Sequence, residues 1–296
     1  MKDLILQGTL RQNTIRFSAI SAKELVGEAQ AIHSLSRTAT AALGRELLMT
    51  AMMAGQLKND TDSVSSIISG GGPGGNLVAV GRKGPFVKGT AGNPQVELPP
   101  RADGKLDVGG YVGHAGKLTV VRDLSMKEPY VGMCNLISGE VAEDFAEYFT
   151  ASEQQPSLVY LGVRVDVLSG HVLGAGGILI QPLPGCPEAD IDYVMSLAGS
   201  IPKLTKRLSE GEQLQQILSD IFSDGGLLFT DTLHPAYACD CSRERMERAL
   251  LSLGKQELQQ IIDEDGQAEL VCHFCNSKYT FCREELETLL QQGAQP

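Results

Sequence analysis

Two short runs, Cys239-Asp240-Cys241 and Cys272-His273-Phe274-Cys275, stand near the end of this 296-residue chain, with residues 242–271 between them. Each run offers two thiolates from a single turn, and the intervening stretch is long enough for one small module that brings the turns together. Paired cysteines so spaced read as a tetrahedral zinc–thiolate centre with Cys239, Cys241, Cys272 and Cys275 as ligands. Thiolate-only ligation also suits an iron–sulfur centre, but zinc needs no further sequence features. Four protein ligands leave no open position for water or substrate, so the metal reads as structural rather than catalytic. His273, His234 and Cys282 lie nearby in sequence and read as bystanders.

Working outward, Ser242 is placed to cap a helix running to about Leu253. A second helix is expected over Lys255–Asp263, and Glu269–Cys272 with Lys278–Phe281 reads as a hairpin around the metal knuckle. A module of this size has a thin core and needs a staple. Structural zinc contributes about 10–16 kcal/mol of apparent binding energy in such modules, against roughly 5–15 kcal/mol for the whole stability of a typical domain. Bound cysteines are held as thiolates, the form that oxidants attack. Pairing them as disulfides would remove both ligands and staple. The spacing leaves open whether the centre is inert structure or a redox trigger.

Upstream, residues 1–182 mix strands and helices without a regular βαβ alternation, which predicts an α+β core domain. Residues 1–20 read as strands around the turn Arg11-Gln12-Asn13. Ser21-Ala22-Lys23-Glu24 has the form of a capping box for a helix to about Ser34. A second helix is expected across Ala39–Leu57, with Met49, Met52 and Met53 as core fillers. Short β-branched runs, among them Val64–Ser69, Leu77–Val80, Phe86–Val87 and Leu118–Val121, predict antiparallel strands. A helix near Glu140–Gln154 buries Phe145 and Phe149, with Glu143, Asp144 and Glu147 on a solvated face. Strands follow at Leu158–Val167 and His171–Gln181. Gly70-Gly71-Gly72-Pro73-Gly74-Gly75 has dinucleotide-site letters, but Asn76–Val80 after it reads as a strand, so a hairpin connection is expected.

Pro182-Leu183-Pro184-Gly185-Cys186-Pro187 marks a boundary. Beyond it, Ile191, Val194, Met195 and Ala198 recur at helical spacing, as do Leu214, Ile217, Leu218, Ile221 and Phe222. Residues 183–231 are therefore expected as a helical linker segment docking apolar stripes, and 232–296 as the zinc-binding domain. Composition bounds the rest. With 25 basic against 36 acidic residues, the chain is a poor candidate for broad phosphate-backbone binding. Met1–Gln7 opens no long apolar leader, and no run reaches the roughly 18 apolar residues of a membrane span. A reducing cytoplasm is the expected compartment, where seven cysteines serve more readily as metal ligands or redox groups than as structural disulfides. Cys134 and Cys186 show no partner in sequence and read as structural or incidental.

The run Cys239-Asp240-Cys241-Ser242-Arg243-Glu244-Arg245, then Glu264-Asp265-Gly266 and Cys272-His273-Phe274-Cys275, closely resembles the redox-regulated chaperones of the 33-kilodalton heat-shock protein family. Ala41-Ala42-Leu43-Gly44-Arg45, Gly70-Gly71-Gly72-Pro73, Gly92-Asn93-Pro94 and Ala175-Gly176-Gly177 are similar to that family's core segments, in the same order. Cys282 falls outside the family's four-cysteine pattern. The resemblance implies a non-enzymatic, ATP-independent stress-response holdase, inactive when reduced and zinc-bound. Peroxide with heat, or hypochlorous acid, would pair Cys239 with Cys241 and Cys272 with Cys275. The C-terminal module would then unfold, loosen 183–231 and expose surface for unfolding client proteins, and the active form would be a homodimer. Two other classes stand beside it. One is a nucleic-acid-binding zinc module, against which residues 232–296 carry six Lys/Arg and eleven Asp/Glu. The other is a thiol oxidoreductase using Cys272 and Cys275.

Overall fold

Short apolar-rich runs over Leu4–Leu10 and Ile15–Ser21 make β1 and β2, buried along most of their length, in a computed structural model that describes residues 2–292. The strands pair antiparallel, from Leu4 opposite Ser21 to Leu10 opposite Ile15. In the turn between them Arg11, Gln12 and Asn13 all adopt left-handed angles, with φ of 53°, 55° and 69°. That region is costly for non-glycine residues, and Arg11 ties the turn down. Its Nε donates to Asp190 Oδ1 at 2.7 Å, and its guanidinium lies 5.1 Å from the centre of the Tyr193 ring. Hydrogen bonds from Arg11 and Thr14 hold the Asp190 carboxyl below the usual carboxylate range.

Helix α1 spans Lys23–His33, but the expected capping box does not form. Ser21 closes β2, Ala22 is the N-cap, and no side chain caps from that position. The acceptor comes from far back in the chain: Asp3 takes the N–H groups of Glu24 and Leu25, at 3.1 and 2.7 Å. Burial pushes the Asp3 carboxyl up to about 6, against these backbone hydrogen bonds. Asp3→Ala orphans both donors and is expected to destabilise the chain by about 1–2 kcal/mol, read as a lowered denaturant midpoint at unchanged slope. An unaltered midpoint would remove Asp3 as the cap.

Helix α2, Arg37–Ala54, opens at Ser36, whose side chain accepts from Ala39 N. Met49, Met52 and Met53 are buried within it. Then come β3 (Ser63–Ser69), β4 (Leu77–Arg82), β5 (Phe86–Ala91), α3 (Val108–Val112), β6 (Lys117–Asp123), β7 (Tyr130–Asn135), α4 (Ala142–Ala151), β8 (Leu158–Val165) and β9 (Val172–Pro182). The run Gly70–Gly75 connects antiparallel β3 and β4 as a hairpin. With β10 (Leu228–Leu233) and β11 (Ala236–Tyr237), these strands make a five-stranded sheet, β10-β1-β2-β9-β8, and a six-stranded sheet, β11-β5-β4-β3-β6-β7. Helix α2 lies between the sheets. A Cβ on Gly44 would stand 3.0 Å from Val163 of β8, and one on Gly89 of β5 would stand 2.9 Å from Leu47 of α2. The architecture is α+β.

In α4, Phe145 and Phe149 are buried as expected, but Asp144 is buried with them. Instead of lying on a solvated face it organises the preceding loop. Its Oδ1 accepts from the backbone of Ile137, Ser138 and Gly139, and its Oδ2 from Val141.

The chain divides into two compact units, Met1–Ala238 and Cys239–Pro296. Residues 183–231 belong to the first. There α5 (Glu188–Ser196), two 3-10 turns, α6 (Leu204–Ser209) and α7 (Leu214–Ile221) cover one face of the five-stranded sheet. Leu214, Ile217, Leu218, Ile221 and Phe222 pack with Leu6, Phe17, Ile178 and Ile180. The first stripe is displaced from its expected frame. Val194, Leu197 and Ile201 face inward, whereas Ile191 and Met195 are exposed; the buried stripe is turned by one position and begins at Asp190, which Arg11 and Thr14 hold inward. The last residues of this segment begin β10, which pairs with β1.

The second unit contains α8 (Arg243–Ser252), α9 (Lys255–Glu264), the hairpin of β12 (Gln267–Val271) and β13 (Lys278–Cys282), and α10 (Arg283–Gln292). Ser242 caps α8 by accepting from Arg245 N. Its core is Leu250, Leu258, Ile262, Phe281, Leu286 and Leu289.

Candidate metal centre

Cys239 and Cys241 lie on the segment entering α8, and Cys272 and Cys275 on the turn between β12 and β13. Two backbone hydrogen bonds shape that turn, Cys272 N to Ser277 O at 2.9 Å and Asn276 N to Cys272 O at 2.8 Å. Asn276 takes a left-handed φ of 57°, which asparagine tolerates better than most residues. The Cys239–Cys241 segment is steadied by an ion pair between Asp240 and Arg245 at 2.7 Å. Arg243 joins α8 to α10 through Glu285 at 2.6 Å and lies 4.3 Å over the Phe281 ring.

The hairpin turn thus meets the α8 entry, and all four sulfurs lie within 4.8 Å of one another. Cys239 and Cys272 are 3.6 Å apart, and Cys241 and Cys275 are 3.3 Å apart. A disulfide needs about 2.05 Å, and all seven cysteines are free thiols. Sulfurs bound at about 2.3 Å to one tetrahedral zinc stand roughly 3.8 Å from each other. The donor set and its spacing fit that ion. Cys272 is buried and the other three are half-buried, so the sulfurs are withdrawn from solvent but within reach of a small oxidant.

As thiols Cys239, Cys241 and Cys275 are not equivalent. Burial pushes Cys239 and Cys241 up, and sulfur neighbours sharing a proton push Cys239 further. Burial also raises Cys275, but hydrogen bonds from the Ser277 side chain and backbone, then from Cys241 and Cys239, bring it down to about 7. Tyr279, which no spacing in the sequence marks, reaches Cys241 Sγ with its hydroxyl at 3.1 Å. That hydrogen bond, followed by burial, pushes the Tyr279 phenol up to about 12.

The cluster does not include His273, His234 or Cys282. His273 is exposed. His234 belongs to the first unit, with Nδ1 3.4 Å from Asp3 O. Cys282 is exposed at the end of β13, its N–H donating to Glu285 Oε2. Cys134 is buried, its thiol pushed up to about 11 by burial, then by Glu147 and Asp144. Cys186 lies half-buried in the turn before α5.

The profile of the Hsp33 protein family matches residues 3–282. The 33 kDa chaperonin of Clostridium botulinum (strain Eklund 17B / Type B) is 43% identical over 293 residues, covering 99% of each chain. The 33 kDa chaperonin of Caldanaerobacter subterraneus subsp. tengcongensis is 44% identical over 294 residues, again covering 99% of each. The crystal structure of the 33 kDa chaperonin of Thermotoga maritima superposes with a TM-score of 0.89 at 39% identity, covering 99% of both chains. No helix among the described residues is long and apolar enough to cross a membrane.

Proposed function

Because the chain belongs to the Hsp33 protein family, we propose that it is a redox-regulated, ATP-independent holdase chaperone of the cytoplasm whose switch is the four-cysteine centre. The observation that carries this reading is the convergence of Cys239, Cys241, Cys272 and Cys275, as free thiols, within 4.8 Å. Zinc, when bound there, holds all four sulfurs as thiolates and cross-links the α8 entry to the β12–β13 turn. In this reduced state the chaperone is off.

Oxidation acts on the sulfurs. Cys239 pairs with Cys241 and Cys272 with Cys275. Each pair of thiolates gives up two electrons to one peroxide molecule, which takes two protons and leaves as two waters. Once paired, the sulfurs no longer serve as ligands and the second unit loses its staple. In functional terms 1–182 is the core domain, 183–231 the linker and 232–296 the switch. Loosening the linker helices bares the apolar sheet face formed by Leu6, Phe17, Ile178 and Ile180, which those helices otherwise cover. Unfolding client proteins bind there, and the oxidised form works as a homodimer.

The test follows zinc release and aggregation of an unfolding protein together, first in dithiothreitol and then after peroxide at elevated temperature. Zinc release and suppression of aggregation are expected only after oxidation. Zinc that stays bound, or leaves without suppression, would overturn the switch, and catalytic turnover of a dithiol substrate would make the chain an oxidoreductase.

A further inference from the structure

We propose that Tyr279 is a positioning residue of the thiolate centre: its hydroxyl donates a hydrogen bond to the Cys241 sulfur, fixing that thiolate and damping its reactivity. The inference rests on the zinc reading above and extends it beyond the four ligands. The phenol oxygen lies 3.1 Å from Cys241 Sγ. A metal-bound thiolate has no proton to give, so the hydroxyl is the donor. Tyr279 stands on β13, opposite Leu270 of β12, and its ring packs against the core of the second unit. That packing aims the hydroxyl, so the bond joins β13 to the first cysteine run and ties the hairpin to Cys241 independently of the metal.

Four thiolates around one divalent zinc carry a net charge of −2, and hydrogen-bond donors to sulfur offset it. Cys239 receives the backbone N–H of Cys241, and Cys275 that of Ser277 together with the Ser277 hydroxyl at 3.2 Å. Side-chain substitution leaves those N–H groups in the chain. Cys241 receives a phenol, which a single substitution removes while keeping the ring. A donor on sulfur draws electron density from the lone pair an electrophile would attack, so Cys241 is held back relative to a sulfur without one.

The full-length chain with Tyr279→Phe tests this. Zinc affinity, measured by competition with a chromophoric chelator, is expected to fall about tenfold. In the zinc-loaded protein, iodoacetamide labelling mapped by mass spectrometry is expected to show a raised ratio of Cys241 to Cys272 modification. In a Cys241→Ser background, Tyr279→Phe is expected to add no further loss of zinc affinity, because the partner sulfur is gone. Unchanged affinity with an unchanged labelling ratio would overturn the proposal. So would equal acceleration at all four cysteines, or an undiminished further loss in the Cys241→Ser chain, each of which would reduce Tyr279 to ring packing. A wild-type chain that binds no zinc would overturn the zinc reading itself and this inference with it, an outcome visible before any variant is made.

Discussion

Chelating the proposed zinc from the reduced chain is expected to unfold residues 239–292 while β1–β9 and α1–α4 keep their structure. The proposed ligands enter the second unit at separate places, before α8 and between β12 and β13, and the apolar core between them is small. Among the described residues six buried side chains, Leu250, Leu258, Ile262, Phe281, Leu286 and Leu289, form its centre. The surface ties, such as Lys278–Glu269 and Arg243–Glu285, are exposed ion pairs worth at most about 1 kcal/mol each. A structural zinc site contributes about 10–16 kcal/mol, more than such ties can replace. Amide hydrogen exchange checks this directly. Protection in α8, α9, α10 and the β12–β13 hairpin should vanish on chelation and return with zinc. A C-terminal unit that stays protected without metal would make the cysteines dispensable to its fold. Cys239→Ser and Cys272→Ser should each weaken zinc binding and lower the peroxide needed for activation. Unchanged affinity in both would dismiss the ligand assignment.

This part of the molecule was the most legible in sequence because its determinants are local. Ser242 caps the helix that follows it, and the two cysteine runs are short enough to be read as turns. Elsewhere the informative partner lies far along the chain. Asp3 caps α1 from 21 and 22 positions away, and no local motif announces that. Strand β10 joins the sheet by pairing with β1 at the opposite end of the chain. Its residues are largely exposed, so the buried alternation that marks other strands is weak. Strand β7 is weakly marked in sequence for another reason. Its inward positions are Gly132 and Cys134, while Val131 and Met133 face out, which inverts the pattern a strand reader relies on. Asp144 read as surface because a carboxylate on a helix usually is. Its burial follows from a loop that points four backbone N–H groups at it. The phenol on Cys241 likewise depends on the fold, since 38 positions separate Tyr279 from the sulfur it reaches.

Raising the pH from 5 to 8 is expected to lower the melting temperature of the first unit by roughly 10 °C, and Glu46→Gln to abolish most of that fall. Glu46 sits in α2 between the two sheets with no exposed surface. Its Oε1 accepts from Ser66 Oγ at 2.8 Å, and Ser66 Oγ in turn lies 2.9 Å from Thr50 Oγ1. Oε2 has no hydrogen-bond partner among the described residues. Burial pushes the carboxyl from 4.5 up to about 8, and the single bond from Ser66 opposes this only weakly. Between those values the folded state holds a proton that the unfolded chain has released. The contribution of Glu46 is therefore complete below about 4.5, falls as pH rises through the window and levels off above about 8. At about 1.4 kcal/mol per pH unit the loss is on the order of 4 kcal/mol. Glutamine keeps the shape and cannot ionise, so Glu46→Gln should exceed the wild type in stability at pH 8 and lose that advantage at pH 5. An identical pH slope in both proteins would dismiss Glu46 as the cause. Hydrogen exchange separates this effect from the proposed thiolate switch: loss through Glu46 registers in the amides of α2, whereas protection over 239–292 is expected to follow zinc.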